Sequence, residues 1–121
     1  MRMGFAENFE DLQIWQRSRV LTNEIYDAFE KIRDFEFRSQ IQSAAVSVMN
    51  NIAEGFERRT KKDFAHFLDL SKGSSGEVRS MLYLAEDRRY LPKSAAERLR
   101  PEYKDLSKSI GALASKLRSQ Q

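Results

Sequence analysis

The stretch "FAHFLDLSKGSSGEVRSMLYLA" (residues 64–85) decides the fold, because it can form either one long helix or two elements separated by a loop. Propensity favours a loop at "SKGSSGE" (71–77), since each glycine costs a helix about 1 kcal/mol relative to alanine. Periodicity favours one helix, because apolar and small residues alternate in steps of four and three and a loop would usually reset that phase. These residues are Phe64, Leu68, Ser71, Ser75, Val78, Leu82 and Ala85. We therefore predict one continuous helix.

Helical periodicity also extends to both sides of this stretch. Four helices are predicted, over about residues 9–32, 37–58, 61–90 and 93–118. No segment shows the sustained period-two alternation of a strand, so no sheet is expected. Pro101 lies inside the last pattern and should kink that helix or delay its start. The short connections predict an all-α, antiparallel up-down four-helix bundle that forms a single domain over residues 1–121.

The composition narrows the class of protein. The 121 residues include 21 basic and 18 acidic side chains, a net charge of +3, and no cysteine. The absence of cysteine excludes disulfides, thiolate nucleophiles and cysteine-based zinc sites. No apolar run approaches the roughly 18 residues of a membrane span, and "MRMGFAENFEDL" lacks the apolar centre of a signal peptide. A cytoplasmic protein without a membrane partner is expected.

The second predicted helix has more apolar surface than one bundle core needs. On a helical wheel its apolar arc covers about 200°, whereas a core-facing stripe needs little more than about 100°. Exposed apolar surface usually marks a partner, and most soluble oligomers are homo-oligomers. We therefore predict a homo-oligomer with an interface that includes Val46, Met49, Asn51, Ala53 and Gly55. The Asn51 amide is expected to bond across a helix seam, and Gly55 is expected to allow a helix to approach closely.

Two groups of basic residues are candidates for nucleic-acid binding. "ERRTKK" (57–62) places Arg58, Arg59, Lys61 and Lys62 at the turn between the second and third helices. On the fourth helix, Arg100, Lys104, Lys108 and Arg118 fall within about 80° of one another. Each group is either a solvated face that keeps the protein soluble or a set of phosphate contacts for RNA or a nucleoprotein. No aromatic residue is interleaved with them, so base stacking is not expected.

Several motifs together resemble one bacterial family. The segment "NIAEGFERRTKKDFAHFLDLSKGSSGEV" (51–78), with "DLQIW" (11–15), is similar to a four-helix-bundle family. That family includes proteins encoded in intervening sequences of large-subunit ribosomal RNA genes and the accessory variability protein of diversity-generating retroelements. The resemblance covers residues 9–91. It implies a bundle assembled as a ring, commonly of five subunits, with an RNA or nucleoprotein partner and no known enzymatic activity. It also implies that "GSSG" lies within a helix.

The sequence contains no convincing catalytic, cofactor or metal motif. His66 is the only histidine, which excludes a ferritin-like di-iron site with its two Glu-x-x-His pairs and leaves a poor zinc site. No glycine-rich loop follows a strand. We expect no cofactor, metal or small-molecule substrate. One enzymatic alternative is that Arg59 and His66, with six residues between them, act like the Arg-x(4–6)-His signature of the helical HEPN ribonucleases. Another alternative is a purely structural scaffold for a second protein.

Overall fold

Four α-helices account for most of the chain in the computed structural model, which describes Gly4 and residues 6–120. They are α1 (Gln13–Phe29), α2 (Phe35–Phe56), α3 (Lys61–Asp87) and α4 (Lys93–Ser119), and a short 3-10 helix, Phe9–Asp11, precedes α1. No strand occurs in this described part of the chain. The prediction of an all-α four-helix bundle is therefore confirmed.

Backbone angles and capping bonds set the ends of the helices, and some of these ends differ from the predicted ones. The first helix begins at Gln13 and not near residue 9, because Leu12 is extended (φ −75°, ψ 126°) and separates α1 from the 3-10 helix. The third helix ends before residue 90, since Arg89 adopts a positive φ of 60°. That helix begins where Thr60 Oγ1 accepts a hydrogen bond of 3.1 Å from the Asp63 backbone N–H, which satisfies one free donor of the first turn.

α3 runs without interruption through residues 71–77, so the prediction of one continuous helix is confirmed and the loop interpretation is wrong. Buried hydroxyl groups explain why small residues are placed there. Ser71 Oγ donates to the Val48 carbonyl of α2 (2.7 Å). Ser75 Oγ donates to the Tyr103 carbonyl of α4 (3.1 Å) and lies 2.6 Å from Ser107 Oγ. Small side chains thus let both neighbours approach α3, while every buried hydroxyl of this set is paired.

α4 is continuous through Pro101 and begins at Lys93, with Pro92 as its N-cap residue. Of the two effects expected of Pro101, a kink or a late start, the late start is therefore wrong. A proline removes one backbone N–H and leaves the carbonyl four residues earlier, here that of Glu97, without its usual helical donor. Pro101 and Glu97 are both exposed. Water can satisfy the Glu97 carbonyl, and the helix therefore continues.

Neighbouring helices run antiparallel. Residue numbers rise along one helix while those of its partners fall along the next. For α2 and α3 the pairs are Gln40–Glu77, Ser47–Ser74 and Gly55–Phe67. For α3 and α4 they are Asp69–Arg118, Ser75–Ser107 and Glu86–Arg100. For α1 and α4 they are Arg17–Asp105 and Glu24–Arg98.

The seam between α1 and α4 is the loosest in the bundle, because these helices share less contact than any other adjacent pair. A groove of about 360 Å³ lies along it, which we call the α1–α4 groove. Its lining residues are Gln16, Arg17, Val20, Leu21, Glu24, Arg98 and Glu102. Ion pairs bridge this seam from Arg17 to Asp105 (2.8 Å) and from Arg98 to Glu24 (3.3 Å). Partly exposed pairs of this kind contribute about 0–1 kcal/mol each.

Tyr103→Phe is expected to stabilise the protein by about 1 kcal/mol. The Tyr103 side chain is fully buried, and its hydroxyl has no hydrogen-bond partner among the described residues. Burial raises the pKa of this phenol, so the hydroxyl stays protonated and carries an unpaired donor. Removing the hydroxyl removes the cost of keeping it from water. Urea unfolding followed by circular dichroism measures the change.

Tyr83→Phe is the matched control, because Tyr83 is exposed on α3 and its hydroxyl can bond to water. Its free energy of unfolding should change by less than about 0.5 kcal/mol. A loss of stability in Tyr103→Phe would show that the Tyr103 hydroxyl has a bonding partner in solution.

Candidate nucleic-acid interface

The α2–α3 turn carries four of the predicted phosphate-binding residues, and two of them are already engaged within the chain. The Arg58 guanidinium bonds to Glu54 Oε1 (2.9 Å) and lies 4.6 Å from the centroid of the Phe67 ring. Lys61 Nζ donates to Gln120 Oε1 (3.1 Å) and is half-buried. These contacts give both side chains a structural role at this end of the bundle.

The other two residues of the turn, Arg59 and Lys62, are exposed. Neither has an ion pair or a side-chain hydrogen bond within the described part of the chain. A cation that forms no ion pair within its own chain remains available to an external anion. Arg59 and Lys62 are therefore the turn residues best suited to contact phosphate.

The predicted residues of α4 likewise include some that are paired within the chain and some that are exposed without an ion pair among the described residues. Arg100 bonds to Glu86 Oε1 (2.9 Å), and its guanidinium lies 4.1 Å from the centroid of the Tyr83 ring. Lys104 and Lys108 are exposed, with no ion pair among the described residues. Arg118, which shares the helix face, bonds to both carboxylate oxygens of Asp69.

The Asp69–Arg118 pair joins α3 to the carboxyl end of α4, near the turn. The hydrogen bond from Arg118 is the main cause that lowers the pKa of the Asp69 carboxyl below its usual range. The pair is half-exposed, so it contributes little stability in salt solution. Its Arg118 charge is neutralised and is not available to a phosphate.

The two basic groups do not form one surface. Lys61 contacts Gln120, which places the turn beside the carboxyl end of α4. Lys104 lies 16 residues before Gln120 along the same helix, a distance of about 24 Å at 1.5 Å per residue. The turn and the middle of α4 are thus separate candidate contacts.

Tyr83 and Arg79 were not identified from the sequence as site residues. Tyr83 lies on α3 against Arg100, and together with Arg79 and Lys104 it lines a groove between α3 and α4. The fold thus places an aromatic ring beside Arg100, which the sequence alone did not indicate. Tyr83 is remote from the α4 lysines in sequence and becomes their neighbour only through antiparallel pairing of the helices. The spacing of Arg79 and Tyr83, i and i+4 on one helix face, was the available signal.

The residues predicted for the subunit contact lie on two edges of α2. Val46, Met49 and Ala53 are half-buried. Val46 also lines a shallow cavity of about 440 Å³, together with Tyr26 of α1. The other lining residues are Ser43, Ser47, Asn50, Asn51 and Glu54.

Gly55 faces α3 of the same chain, and Asn51 bonds to a residue that contacts α3. Asn51 Nδ2 donates to the Ser47 carbonyl and to Ser47 Oγ, each at 2.9 Å, and Ser47 Oγ lies 2.8 Å from Ser74 Oγ of α3. The Asn51 amide therefore bonds within its own helix and not across a helix seam as expected, and the contact with α3 is made by Ser47. Gly55 is buried, and a Cβ added there would lie 2.6 Å from Phe67 Cβ. The assignment of Gly55 to the subunit surface is corrected, because it packs inside the subunit.

Exposed apolar side chains occur mainly on α1 and α3. The large ones are Val20, Tyr26, Phe35, Leu70, Tyr83 and Leu84. Among the large apolar residues of α2 only Phe35, its first residue, is in this group. The wide apolar arc of α2 is thus largely covered by its own chain, and the exposed apolar surface beside it comes from Tyr26 of α1.

The two residues of the enzymatic alternative are both exposed, and no hydrogen bond, ion pair or ring contact joins them. Arg59 lies in the turn, and the His66 ring lies 5.7 Å from the Phe67 ring on α3. No cluster of three metal-ligating side chains is found in residues 6–120 or at Gly4. Within the same described residues, no helix is long and apolar enough to cross a membrane.

Comparisons with known proteins agree with this architecture. The model of the family described as 23S rRNA-intervening sequence protein matches residues 10–112. Among solved structures, the chain is similar to a protein of unknown function from the S23 ribosomal protein family of Bacteroides thetaiotaomicron VPI-5482, with 17% sequence identity and a TM-score of 0.79. The match covers 84% of this chain and 97% of that chain. At this identity the likeness shows the fold alone. No curated protein gives a significant match.

Proposed function

Since the chain belongs to the 23S rRNA-intervening sequence protein family, we propose that it is a non-enzymatic, homo-oligomeric helical-bundle module that binds RNA, free or within a nucleoprotein. The observation that carries this proposal is the pair of exposed cations at the α2–α3 turn, Arg59 and Lys62, which have no partner among the described residues. Neighbouring Arg58 and Lys61 are engaged within the chain, and their contacts hold the turn in place.

The charge and shape of the turn suit a phosphate backbone better than a base. Arg59 and Lys62 supply hydrogen-bond donors and positive charge on exposed side chains. Such contacts give affinity that is independent of sequence and falls as salt rises. One subunit offers few of these contacts. A ring of subunits, for which we propose five members from the family resemblance, repeats them and raises the affinity through avidity.

The subunit contact that we propose uses the α1–α2 face. Tyr26 is exposed there, and Val46, Met49 and Ala53 are only half-buried by their own chain. A contact on this face would cover the apolar surface left open beside the shallow cavity. It would leave the α2–α3 turn accessible, because the turn lies at an end of the bundle.

The double variant Arg59→Ala/Lys62→Ala is expected to weaken RNA binding for all sequences alike. If both side chains neutralise phosphates of single-stranded RNA, the slope of log affinity against log salt should fall by about 1.4. Fluorescence anisotropy with a labelled RNA at several salt concentrations measures this slope. Stability should hardly change, because exposed charges contribute little to it.

Lys31→Ala/Arg33→Ala is the matched control. Both residues are exposed in the connection between α1 and α2, at the opposite end of the bundle, and neither has a partner among the described residues. This variant removes the same charge and should leave most of the salt dependence unchanged. Absence of RNA binding by the unmodified protein at low salt, where attraction is strongest, would reject the proposal and favour the scaffold alternative.

A further inference from the structure

We propose that a second surface, the groove between α3 and α4, binds one unstacked nucleotide of single-stranded RNA. The α3–α4 groove has a volume of about 350 Å³ and is lined by Arg79, Tyr83, Glu97, Arg100, Pro101 and Lys104. The base stacks on Tyr83, and the adjoining phosphates contact Arg79 and Lys104. This inference rests on the RNA binding proposed above and specifies the kind of RNA.

The Tyr83 ring is held in one orientation and offers a surface on which a base can stack. The residue is 59% exposed although its ring is large and largely apolar. The Arg100 guanidinium lies over the ring, 4.1 Å from its centroid, and is itself fixed by Glu86 at 2.9 Å. Only 15% of the Arg100 side chain is exposed, so it acts as a support behind the ring. A ring that is already oriented loses little freedom when a base stacks on its exposed surface.

The charges in the α3–α4 groove favour an anion beside that platform. Arg79 and Lys104 both line the groove and have no ion pair among the described residues. The carboxylate in the lining belongs to Glu97, which lies 3.8 Å from Lys93 Nζ on the same helix. A ligand that joins a planar ring to an anionic group satisfies both features, and a nucleotide has this chemistry.

The stacking requirement selects single-stranded RNA. In a duplex the bases stack on one another, whereas unpaired bases can turn outward and stack on an aromatic side chain. Lys108 follows Lys104 by one helical turn, about 6 Å along α4, and is exposed. It extends the positive surface away from Tyr83, in the direction that a continuing strand can follow.

The test compares a labelled single-stranded oligouridine of about ten nucleotides with a blunt RNA duplex of equal length. Tyr83→Ala should weaken binding of the single strand by about tenfold and leave duplex binding unchanged, whereas Tyr83→Phe should retain both. Arg79→Ala/Lys104→Ala should lower the salt slope for the single strand. Leu84→Ala is the matched control, because Leu84 is the next residue of α3, similarly exposed, and does not line the groove.

The outcomes separate this inference from the proposed function. Binding of both RNAs that is weakened by Arg59→Ala/Lys62→Ala but unaffected by Tyr83→Ala would overturn the inference and leave the function standing. Equal loss of both RNAs in Tyr83→Ala would also overturn it, since duplex bases cannot stack on Tyr83. A changed oligomer mass in Tyr83→Ala would assign Tyr83 to a subunit contact and would likewise overturn it. No binding of either RNA by the unmodified protein would reject both proposals.

Discussion

Met49→Glu and Ala53→Glu are each expected to reduce the mass measured by light scattering to the 14.1 kDa of one chain. Both residues are half-buried on the α2 edge that we assign to the subunit contact. An unpaired carboxylate enclosed between subunits loses its hydration, at a cost of several kcal/mol, which is enough to dissociate a contact of moderate affinity. The circular dichroism of the helices should remain, because each side chain still reaches water in the separated subunit.

Ala112→Glu is the matched control for this experiment. Ala112 is exposed on α4, and its substitution adds the same charge to a helix at a position outside the proposed contact. The oligomer mass should not change. Loss of helicity together with mass in the α2 variants would place Met49 and Ala53 in the core of the subunit. A mass of 14.1 kDa for the unmodified protein at micromolar concentration would reject the homo-oligomer.

Gly55→Ala is expected to lower the free energy of unfolding by about 2–3 kcal/mol. An added Cβ would lie 2.6 Å from Phe67 Cβ and 2.9 Å from Phe64 Cδ1. Phe67 Cβ is fixed to the backbone of α3, so relief of the clash requires α2 and α3 to move apart. Chemical denaturation gives the change in stability.

Gly73→Ala is the matched control for Gly55→Ala. Gly73 lies inside α3, and a Cβ there would meet no atom within 4 Å. Alanine is the better helix former, so the variant should be stabilised by about 1 kcal/mol. Opposite signs at the two positions would confirm that close packing and not helix propensity explains Gly55. A neutral Gly55→Ala would show that the α2–α3 seam can relax.

The sequence was most informative where periodicity reports burial directly. The phase from Phe64 to Ala85 predicted a continuous α3 despite two internal glycines, because the same face contacts α2 and α4 throughout. The ends of the helices were harder to predict from the sequence. Whether α1 starts at residue 9 or at Gln13 depends on the extended backbone of Leu12, which follows from no local propensity.

The candidate site was less predictable, because the availability of a cation depends on partners from other helices. Lys104 and Arg100 are neighbours on a helical wheel of α4, yet Arg100 pairs with Glu86 of α3 and Lys104 has no ion pair among the described residues. The role of Gly55 likewise depends on where Phe67 of α3 is placed. A pattern within one helix identifies which side chains point outward, but their partners are set by the packing between helices.

The α1–α4 groove has a consequence for local stability. α3 bonds through buried hydroxyls to both of its neighbours, whereas α1 makes such a bond to α2, from Thr22 to the Ala45 carbonyl, and meets α4 across that groove through two partly exposed ion pairs. Regions with fewer buried contacts open at lower free energy than the molecule as a whole. In native-state hydrogen exchange, the amides of α1 should therefore exchange before those of α3, and salt should widen the difference by screening the ion pairs. In this local opening, α2, α3 and α4 would stay folded together while α1 separates from them and packs again.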